Sequence, residues 1–171
     1  YKRQGLKGAD LGTAERTFQL MRQGAGRAGR AERQGAAMLQ TFQPEHAVIR
    51  SILAGDEEAF WAAEAAERKA AGVPPYGRMA GVILSSPNGE EVFDLGTDMA
   101  RRDGPLRAIG AQVFGPAPAP IARVRGRHRV RLLVQANKAA PLQRALTQWA
   151  GQFRLKGDLR MAIDIDPQSF Y

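Results

Sequence analysis

Two consecutive prolines near the middle of the chain, Pro74 and Pro75, constrain its fold more than any other feature. Proline lacks a backbone N–H and its ring clashes with the preceding helical turn, so neither residue can continue a helix or donate to the hydrogen bonds of a sheet. Tyr76 and Gly77 follow, and the four residues together predict a rigid break. We expect the main domain boundary at this break, with a C-terminal domain over residues 74–171.

After the break, apolar residues recur with the periods of alternating strands and helices. The pattern predicts strand 78–85, helix 89–102, strand segments around 111–125, strand 127–135, helix 139–153 and strand 158–165. This βαββαβ order predicts an α/β fold of the α+β type, in which an antiparallel sheet packs both helices on one face. Such a ferredoxin-like sandwich is also the topology of some ribosomal proteins. Prolines interrupt the second strand or confine it to an edge: Pro116, Pro118 and Pro120.

Before the break, the sequence predicts helices and one short strand. Thr13 can cap a helix whose apolar stripe is Ala14, Phe18, Met21 and Ala25. Glycines follow over residues 24–30, and each weakens a helix by about 1 kcal/mol relative to alanine, so a frayed helix end or loop is expected there. A short strand is predicted over residues 36–42.

Two further helices are predicted to connect this region to the C-terminal domain. Pro44 opens the first, which has Val48, Ile49, Ile52 and Leu53 on one face and ends at Gly55. Asp56 caps the second, which is acidic and runs to Gly72. Helical spacing indicates that the large aromatic residues here and in the last helix are packing residues: Phe60, Trp61, Trp149 and Phe153.

The composition points to a polyanionic partner and away from metal chemistry. The formal net charge is +8, with a sequence pI of about 10.6, which favours nucleic acid. The chain contains no cysteine, and His46 and His128 lie far apart, so we expect no metal site within it. Asp164 and Asp166 are better explained as ending a strand before Pro167 than as cation ligands. No signal peptide or membrane span is apparent, which predicts a cytoplasmic protein without a membrane partner.

A glycine-rich segment with two arginines, Gln23 to Arg30, is the first candidate site. Arg27 and Arg30 are three residues apart and share one side of a turn, while Gly26 and Gly29 let the backbone approach a ligand. Two planar guanidinium groups in this arrangement suit phosphate oxygens. The alternative is a solvated basic turn, because short strings of this kind recur by chance.

A series of arginines spaced by two is the second candidate site: Arg123, Arg125, Arg127, Arg129 and Arg131. In extended chain this spacing predicts a common face, with Gly126 at a tight hairpin turn and His128 supporting the face. Like charges opposed across a hairpin repel, so binding to a phosphate backbone would stabilise the arrangement. The alternative is a charged edge that blocks unwanted strand pairing.

Six segments, in one order, carry a resemblance to a known family: Ala14–Leu20, Gln23–Arg30, Leu39–His46, Pro74–Arg78, Gly115–Pro118 and Asp164–Pro167. From about Ala9 onward the chain resembles the C-terminal portion of the primosomal replication-restart helicases, the primosomal protein N-prime family. Gly24 departs from the family, which usually has an aliphatic residue there, and this predicts a less rigid arginine pair.

The resemblance implies an ATP-dependent DNA helicase that moves 3′ to 5′, recognises stalled or branched replication forks and restarts replication by primosome assembly. Residues 1–43 would end the second RecA-like helicase lobe and residues 44–73 would form the helical connector. Gln23, Gly26, Arg27, Gly29 and Arg30 would belong to the last helicase motif, with Arg27 and Arg30 facing the γ-phosphate of ATP with Mg. No phosphate-binding loop or acidic helicase box occurs in the chain, so by itself it is expected to be inactive.

The resemblance also implies partners. The expected ones are branched and single-stranded DNA, other primosome proteins, the replicative helicase and the acidic tail of single-stranded DNA-binding protein. For that tail, Gln143 matches a family glutamine, whereas Ala139, beside Lys138, stands where the family has an arginine. Zinc is expected only upstream of this chain. The competing hypothesis is a stand-alone nucleic-acid-binding or protein-interaction module without ATPase activity.

Overall fold

The structure, a computed structural model, describes residues 12–27, 38, 40, 42, 44–45 and 47–167. The chain forms two compact units, one within residues 10–67 and the other from residue 68 onward. Three helices come first: α1 (Thr13–Arg27), α2 (Ala47–Ala54) and α3 (Glu57–Ala71). The remaining elements are β1 (Gly77–Ser86), α4 (Gly89–Arg101), α5 (Gly104–Arg107), β2 (Gln112–Val124), β3 (Arg127–Asn137), α6 (Leu142–Ala150) and β4 (Arg160–Ile165).

Aromatic side chains form the core of the first unit. The rings of Phe18 on α1 and Phe60 on α3 stack with their centroids 4.2 Å apart, and Trp61 meets both rings edge-on. Offset and edge-to-face aromatic pairs contribute about 0.5–1.5 kcal/mol beyond the area they bury. The predicted packing role of Phe60 and Trp61 is confirmed.

Helix ends in this region follow the predicted glycine and aspartate signals. Gly55, with φ of 68°, follows α2, and the Asp56 N–H donates to the Ser51 carbonyl, as in a Schellman motif. Asp56 then caps α3, because its Oδ1 accepts from the Ala59 N–H at 2.9 Å. Gly72, with φ of 62°, follows α3 in the same way as Gly55 follows α2.

Three expectations for the first part of the chain are wrong over the residues that the structure describes. α1 continues through Gly24 and Gly26 to Arg27 instead of fraying at these glycines, and Phe18 packs it against α3. Residues 28–30 of the same glycine-rich run lie outside the described residues. α2 begins at Ala47, after a turn at Pro44, and Leu53 is 70% exposed because the cluster around Phe18 reaches only to Ile52.

The third is the strand predicted over residues 36–42. Its described positions, Met38, Gln40 and Phe42, are not in a strand, and the other four lie outside the described residues. A strand needs a neighbouring strand to satisfy its backbone, and the described part of this unit contains helices only. No RecA-like sheet is therefore seen in the described part of residues 10–67.

The second unit is built on one antiparallel sheet with the strand order β2-β3-β1-β4. The helix α4 connects β1 to β2, and α6 connects β3 to β4. Both connections skip a neighbouring strand, which is the split arrangement of the ferredoxin-like sandwich. The predicted βαββαβ fold is confirmed, and β2, which carries Pro116, Pro118 and Pro120, is an edge strand as expected.

Both long helices of this unit pack on the same face of the sheet. Val82 and Leu84 of β1 share a buried core with Met99 of α4 and Leu146 and Trp149 of α6. The Trp149 indole N–H donates to the Met99 carbonyl at 3.1 Å, which satisfies a carbonyl in the last turn of α4. This bond joins the two helices above the sheet.

The helix boundaries differ slightly from those predicted. α6 begins at Leu142 rather than at residue 139, because Pro141 disfavours helical backbone at Ala140. It ends at Ala150, but Phe153 beyond it still packs edge-on against Trp149. α5 was not predicted, because a helix of four residues is too short to show a periodic apolar stripe.

The proline break lies between α3 and β1, and Gly77 packs so close to the Gly72 carbonyl that an added Cβ would lie 1.9 Å from its oxygen.

Residues distant in sequence join the start of β1 to the end of β4. The Arg78 guanidinium donates to Asp166 Oδ2 through Nε at 3.0 Å and Nη2 at 2.9 Å. Asp166 Oδ1 accepts from the Met79 N–H at 2.9 Å. Asp166 thus ends β4 by binding the start of β1.

A two-residue turn joins β2 to β3. Val124 pairs with Arg127, so only Arg125 and Gly126 form the loop. Their φ angles of 48° and 77° are both positive, which identifies the type I′ turn whose twist matches that of the flanking strands. Arginine has a Cβ that makes a left-handed conformation unfavourable, whereas glycine has none.

We predict that Gly96→Ala destabilises the second unit. A Cβ at Gly96 would lie 2.9 Å from the Pro116 Cβ and 3.3 Å from the Val130 Cγ1, so α4 would have to move away from the sheet. Overpacking of this kind costs about 1–3 kcal/mol. Urea unfolding measures the change, with Gly104→Ala as the control, because an added Cβ there has no neighbour within 4 Å. Equal stability of the two variants would contradict the close packing.

We also predict that Arg125→Asn stabilises the hairpin. Asparagine tolerates left-handed backbone, and Asn-Gly is the preferred pair for this turn, so the free energy of unfolding should rise by about 0.5–1 kcal/mol. Arg123→Asn is the matched control because it removes the same charge from the strand before the turn. If both variants change the stability equally, the gain comes from charge and not from the turn.

Candidate nucleic-acid interface

The pairing of β2 with β3 places the arginines of the series on different faces. Arg123 lies opposite His128, and Val124 lies opposite Arg127. Because opposed residues share a face, Arg123 projects on the side of His128, whereas Arg127 and Arg129 project on the other side. The predicted common face is therefore wrong for Arg123. Within one strand, residues two positions apart share a face. Across the hairpin this relation fails, because the two-residue turn places Arg123 opposite His128 and not opposite Arg127 or Arg129.

The arginines of β3 are held within the fold. Arg127 Nη2 donates to the Ser85 carbonyl at 2.9 Å and also to the Asp158 carbonyl. Arg129 Nη1 donates to the Ile121 carbonyl at 3.4 Å. Arg131 is buried, with 5% of its surface exposed. Arg127 and Arg129 are therefore half-buried and oriented by the backbone, whereas Arg131 is enclosed. The DNA-binding role expected for these three residues stays a prediction.

Arg123 and Arg125 are the exposed members of the series. Among the described residues, neither has an ion pair or a hydrogen bond through its side chain. The arginines at the end of α4 differ, because Asp98 accepts from Arg101 at 2.9 Å and from Arg102 at 3.2 Å. The hydrogen bond from Arg101, together with that from Arg102, lowers the pKa of Asp98. The hairpin turn is therefore a site of uncompensated positive charge.

Exposed aliphatic residues accompany this charge. Ile121 is 53% exposed and Val124 is 37% exposed. Ile121 lies in an irregular stretch of β2 between Pro118, which opposes Val130, and Arg123, which opposes His128. β2 uses four intervening residues there where β3 uses one, so the edge strand bulges outward. We call the segment 121–126 the hairpin tip.

His128 is not part of the hairpin tip. Its ring lies beside Gly89 at the start of α4, where an added Cβ would be 3.2 Å from the His128 Nδ1. The residue pairs with Ser86 of β1 and faces the helices. His128 shares the face of its partner Arg123, but the expectation that it supports the whole arginine series is wrong for Arg127 and Arg129, because adjacent residues of a strand point to opposite faces.

The glycine-rich segment is described only at its start. Gln23 is an exposed residue of α1, and Arg27 is the last residue of that helix, with its side chain outside the described part. Gly26 lies in the same last turn, whereas Gly29 and Arg30 lie outside the described residues. Among the described residues, an added Cβ at Gly24 would have no neighbour within 4 Å. The nucleotide-binding role of the segment stays a prediction.

The start of α6 presents the residues expected to bind a protein partner. Lys138 and Gln143 are both exposed, and Arg144 is exposed beside them. Pro141 occupies the N-cap position without a side-chain hydrogen bond to the first turn. Sequence reasoning assigned Arg144 no role, although its charge next to Gln143 was visible.

Two other features were missed from the sequence. The Arg78–Asp166 pair joins residues that both lie in segments shared with the family, and those segments were the signal that could have identified it. The exposure of Ile121 and Val124 had no sequence signal, because aliphatic residues in a strand normally indicate core.

Neither a metal site nor a membrane span is found in the part of the chain that the structure describes. Within that part, no three acidic, histidine or cysteine residues come together as a group able to hold a metal ion. No described helix combines the length and the apolar character needed to cross a membrane.

Comparison with known proteins gives a consistent result. Residues 69–168 match the family model described as the primosomal protein N C-terminal domain. The replication restart protein PriA of Rickettsia conorii is 37% identical over 98% of this chain and 25% of that protein. PriA of Treponema pallidum is 32% identical over 95% of this chain and 25% of that protein. PriA of Bacillus subtilis is 33% identical over 92% of this chain and 20% of that protein.

The chain thus spans at most about a quarter of the length of these curated relatives. The family model covers the whole sheet with α4, α5 and α6, including the hairpin tip. On this match, the chain belongs to the primosomal protein N C-terminal domain family.

Proposed function

We propose that this chain is the C-terminal part of an ATP-dependent DNA helicase that recognises stalled or branched replication forks and restarts replication. Membership of the family and the name of its relatives, replication restart protein, support this role. The observation that carries the DNA-binding part of the proposal is the hairpin tip, where Arg123 and Arg125 are exposed without a described partner.

The hairpin tip suits a phosphate backbone on electrostatic grounds. Each arginine that contacts a phosphate releases a condensed counterion, so binding strengthens as the salt concentration falls. Placing two unpaired cations near each other at a turn is unfavourable for folding unless a polyanion neutralises them. The chain's net charge of +8 adds long-range attraction to the same partner.

The glycine-rich segment completes the ATPase site in this proposal. Arg27 and Arg30 approach the γ-phosphate of ATP, which is held with Mg mainly by upstream parts of the protein. Positive charge in a cleft that excludes water stabilises the charge that develops on the transferred phosphoryl group. The chain alone lacks the phosphate-binding loop and is therefore inactive as an ATPase.

The start of α6 is the proposed contact for the acidic tail of single-stranded DNA-binding protein. Lys138 and Arg144 carry charge of the right sign, and Gln143 offers an amide between them. The cation that the family places at residue 139 is absent, and the exposed neighbours Lys138 and Arg144 substitute for it here. Other primosome proteins and the replicative helicase are proposed partners of the whole protein.

Replacing Arg30 tests the ATPase role. In the full-length protein, Arg30→Ala should lower DNA-stimulated ATP hydrolysis by about 10³-fold, as removal of an arginine finger does in other NTPases. Arg33→Ala is the control, because it removes a nearby positive charge outside the motif. Unchanged hydrolysis by Arg30→Ala would exclude the phosphate contact.

Replacing the two hairpin arginines tests the DNA-binding role. The double variant Arg123→Ala with Arg125→Ala should weaken DNA binding and reduce the slope of log affinity against log salt by about 0.9 for each duplex phosphate that is no longer neutralised. The control replaces Arg101 and Arg107 by alanine, which lowers the net charge equally but away from the hairpin tip. A salt slope that changes equally in both variants would contradict a local contact.

A further inference from the structure

The hairpin tip combines charge and apolar surface in an arrangement that the arginine series alone does not reveal. Val124 and Arg123 are adjacent in β2 and therefore project to opposite faces, while Arg125 lies in the turn. Ile121 is exposed on the bulge that precedes them. The tip thus offers a cation on one side, an aliphatic group on the other and a second cation at its end.

The position of Ile121 is maintained from within the fold. Arg129 is opposite the bulge of β2, and its guanidinium donates to the Ile121 carbonyl at 3.4 Å. This arginine therefore contacts the backbone that presents Ile121. The exposed aliphatic group is supported by a defined contact, although exposing it to water is unfavourable.

The aromatic groups that bind single strands are missing from this hairpin. Proteins that hold single-stranded nucleic acid stack its bases on aromatic rings. Between Gly115 and Arg131 the sequence contains no phenylalanine, tyrosine or tryptophan. The ring of His128, which is in this range, lies against Gly89 on the helix side of the sheet.

The groove of a nucleic-acid duplex matches the charged and aliphatic side chains of the hairpin tip. Its walls carry phosphates, which suit Arg123 and Arg125, and its interior exposes sugar and base edges, against which proteins insert aliphatic side chains. In double-stranded RNA the minor groove displays 2′-hydroxyl groups instead, which an aliphatic side chain would desolvate without a hydrogen bond. The occupant favoured by these side chains is therefore duplex DNA.

We infer that the hairpin tip binds the duplex part of a DNA substrate and not its single-stranded part. Arg123 and Arg125 contact phosphates, and Ile121 and Val124 pack against the sugar and base edges of a groove. This assignment rests on the proposed DNA-binding function and specifies which DNA element the site takes.

Replacing the aliphatic groups tests the assignment. In the 171-residue chain, we compare the double variant Ile121→Thr with Val124→Thr against the unaltered protein for binding to duplex DNA, single-stranded DNA and double-stranded RNA. Threonine keeps the branched shape that suits a strand but makes the surface polar. Duplex DNA affinity should fall about fivefold, and the salt slope should stay unchanged because both arginines still neutralise their phosphates. Leu155→Thr, at an exposed position outside the hairpin, is the control.

The outcomes separate this inference from the function on which it rests. An equal loss on single-stranded DNA, an equal loss on double-stranded RNA, or no loss on duplex DNA would overturn the assignment. If Arg123→Ala with Arg125→Ala still weakens DNA binding in that case, the proposed DNA-binding function stands and only the duplex assignment fails. If the arginine variant leaves every affinity and salt slope unchanged, the proposed function of the hairpin fails as well.

Discussion

The antiparallel pairing of β1 with β3 is the constraint on which the second unit depends. It runs without a bulge from Gly77 opposite Asn137 to Ser86 opposite His128. An unbroken register assigns every residue of both strands to one of two faces. The face that contains Val82 and Leu132 is covered by α4 and α6, and Arg127, Arg129 and Arg131 necessarily lie on the other. β2, at one edge of the sheet, has a single neighbouring strand and bulges.

The irregularity of β2 at the edge is what exposes the side chains of the hairpin tip. The prolines and the bulge of β2 interrupt its hydrogen bonding, which prevents another strand from pairing along it. The same irregularity exposes Ile121, and the tight turn places Arg125 in a backbone conformation unfavourable for arginine. Exposed apolar surface, unpaired charge and local strain at one place each reduce stability, and their coincidence is typical of a site kept for binding.

The two candidate arginine sites, at the hairpin tip and in the glycine-rich segment, lie in different structural settings. At the hairpin tip the cations lie on the β2 edge of the sheet, within the second unit. Arg27 is the last residue of α1, which packs through Phe18 against Phe60 and Trp61, whereas Arg30 lies outside the described residues. In the proposed function, the ATP whose phosphate this pair contacts is held mainly by parts of the protein outside this chain, which spans about a quarter of the length of its relatives.

Sequence alone determined the features that local chemistry controls. Glycines and aspartates at helix ends, the proline break and the alternating periods predicted the order of elements in the second unit, and hence its sheet topology. They also located the two-residue turn, since glycine in such a loop admits positive φ. The family segments indicated the family, which the comparison with known proteins bears out.

Tertiary structure decided what depends on register and on distant partners. Arg123 and Arg127 are separated to opposite faces by the length of one turn, and Arg131 is buried whereas Arg127 and Arg129 on the same face are half-buried. The ion pair between Arg78 and Asp166 joins residues 88 positions apart. The periodicity of apolar residues along the sequence does not predict contacts between residues so far apart. Spacing along a chain specifies only which residues can share a face. The strand that pairs beside them determines whether that face meets water, a helix or a ligand.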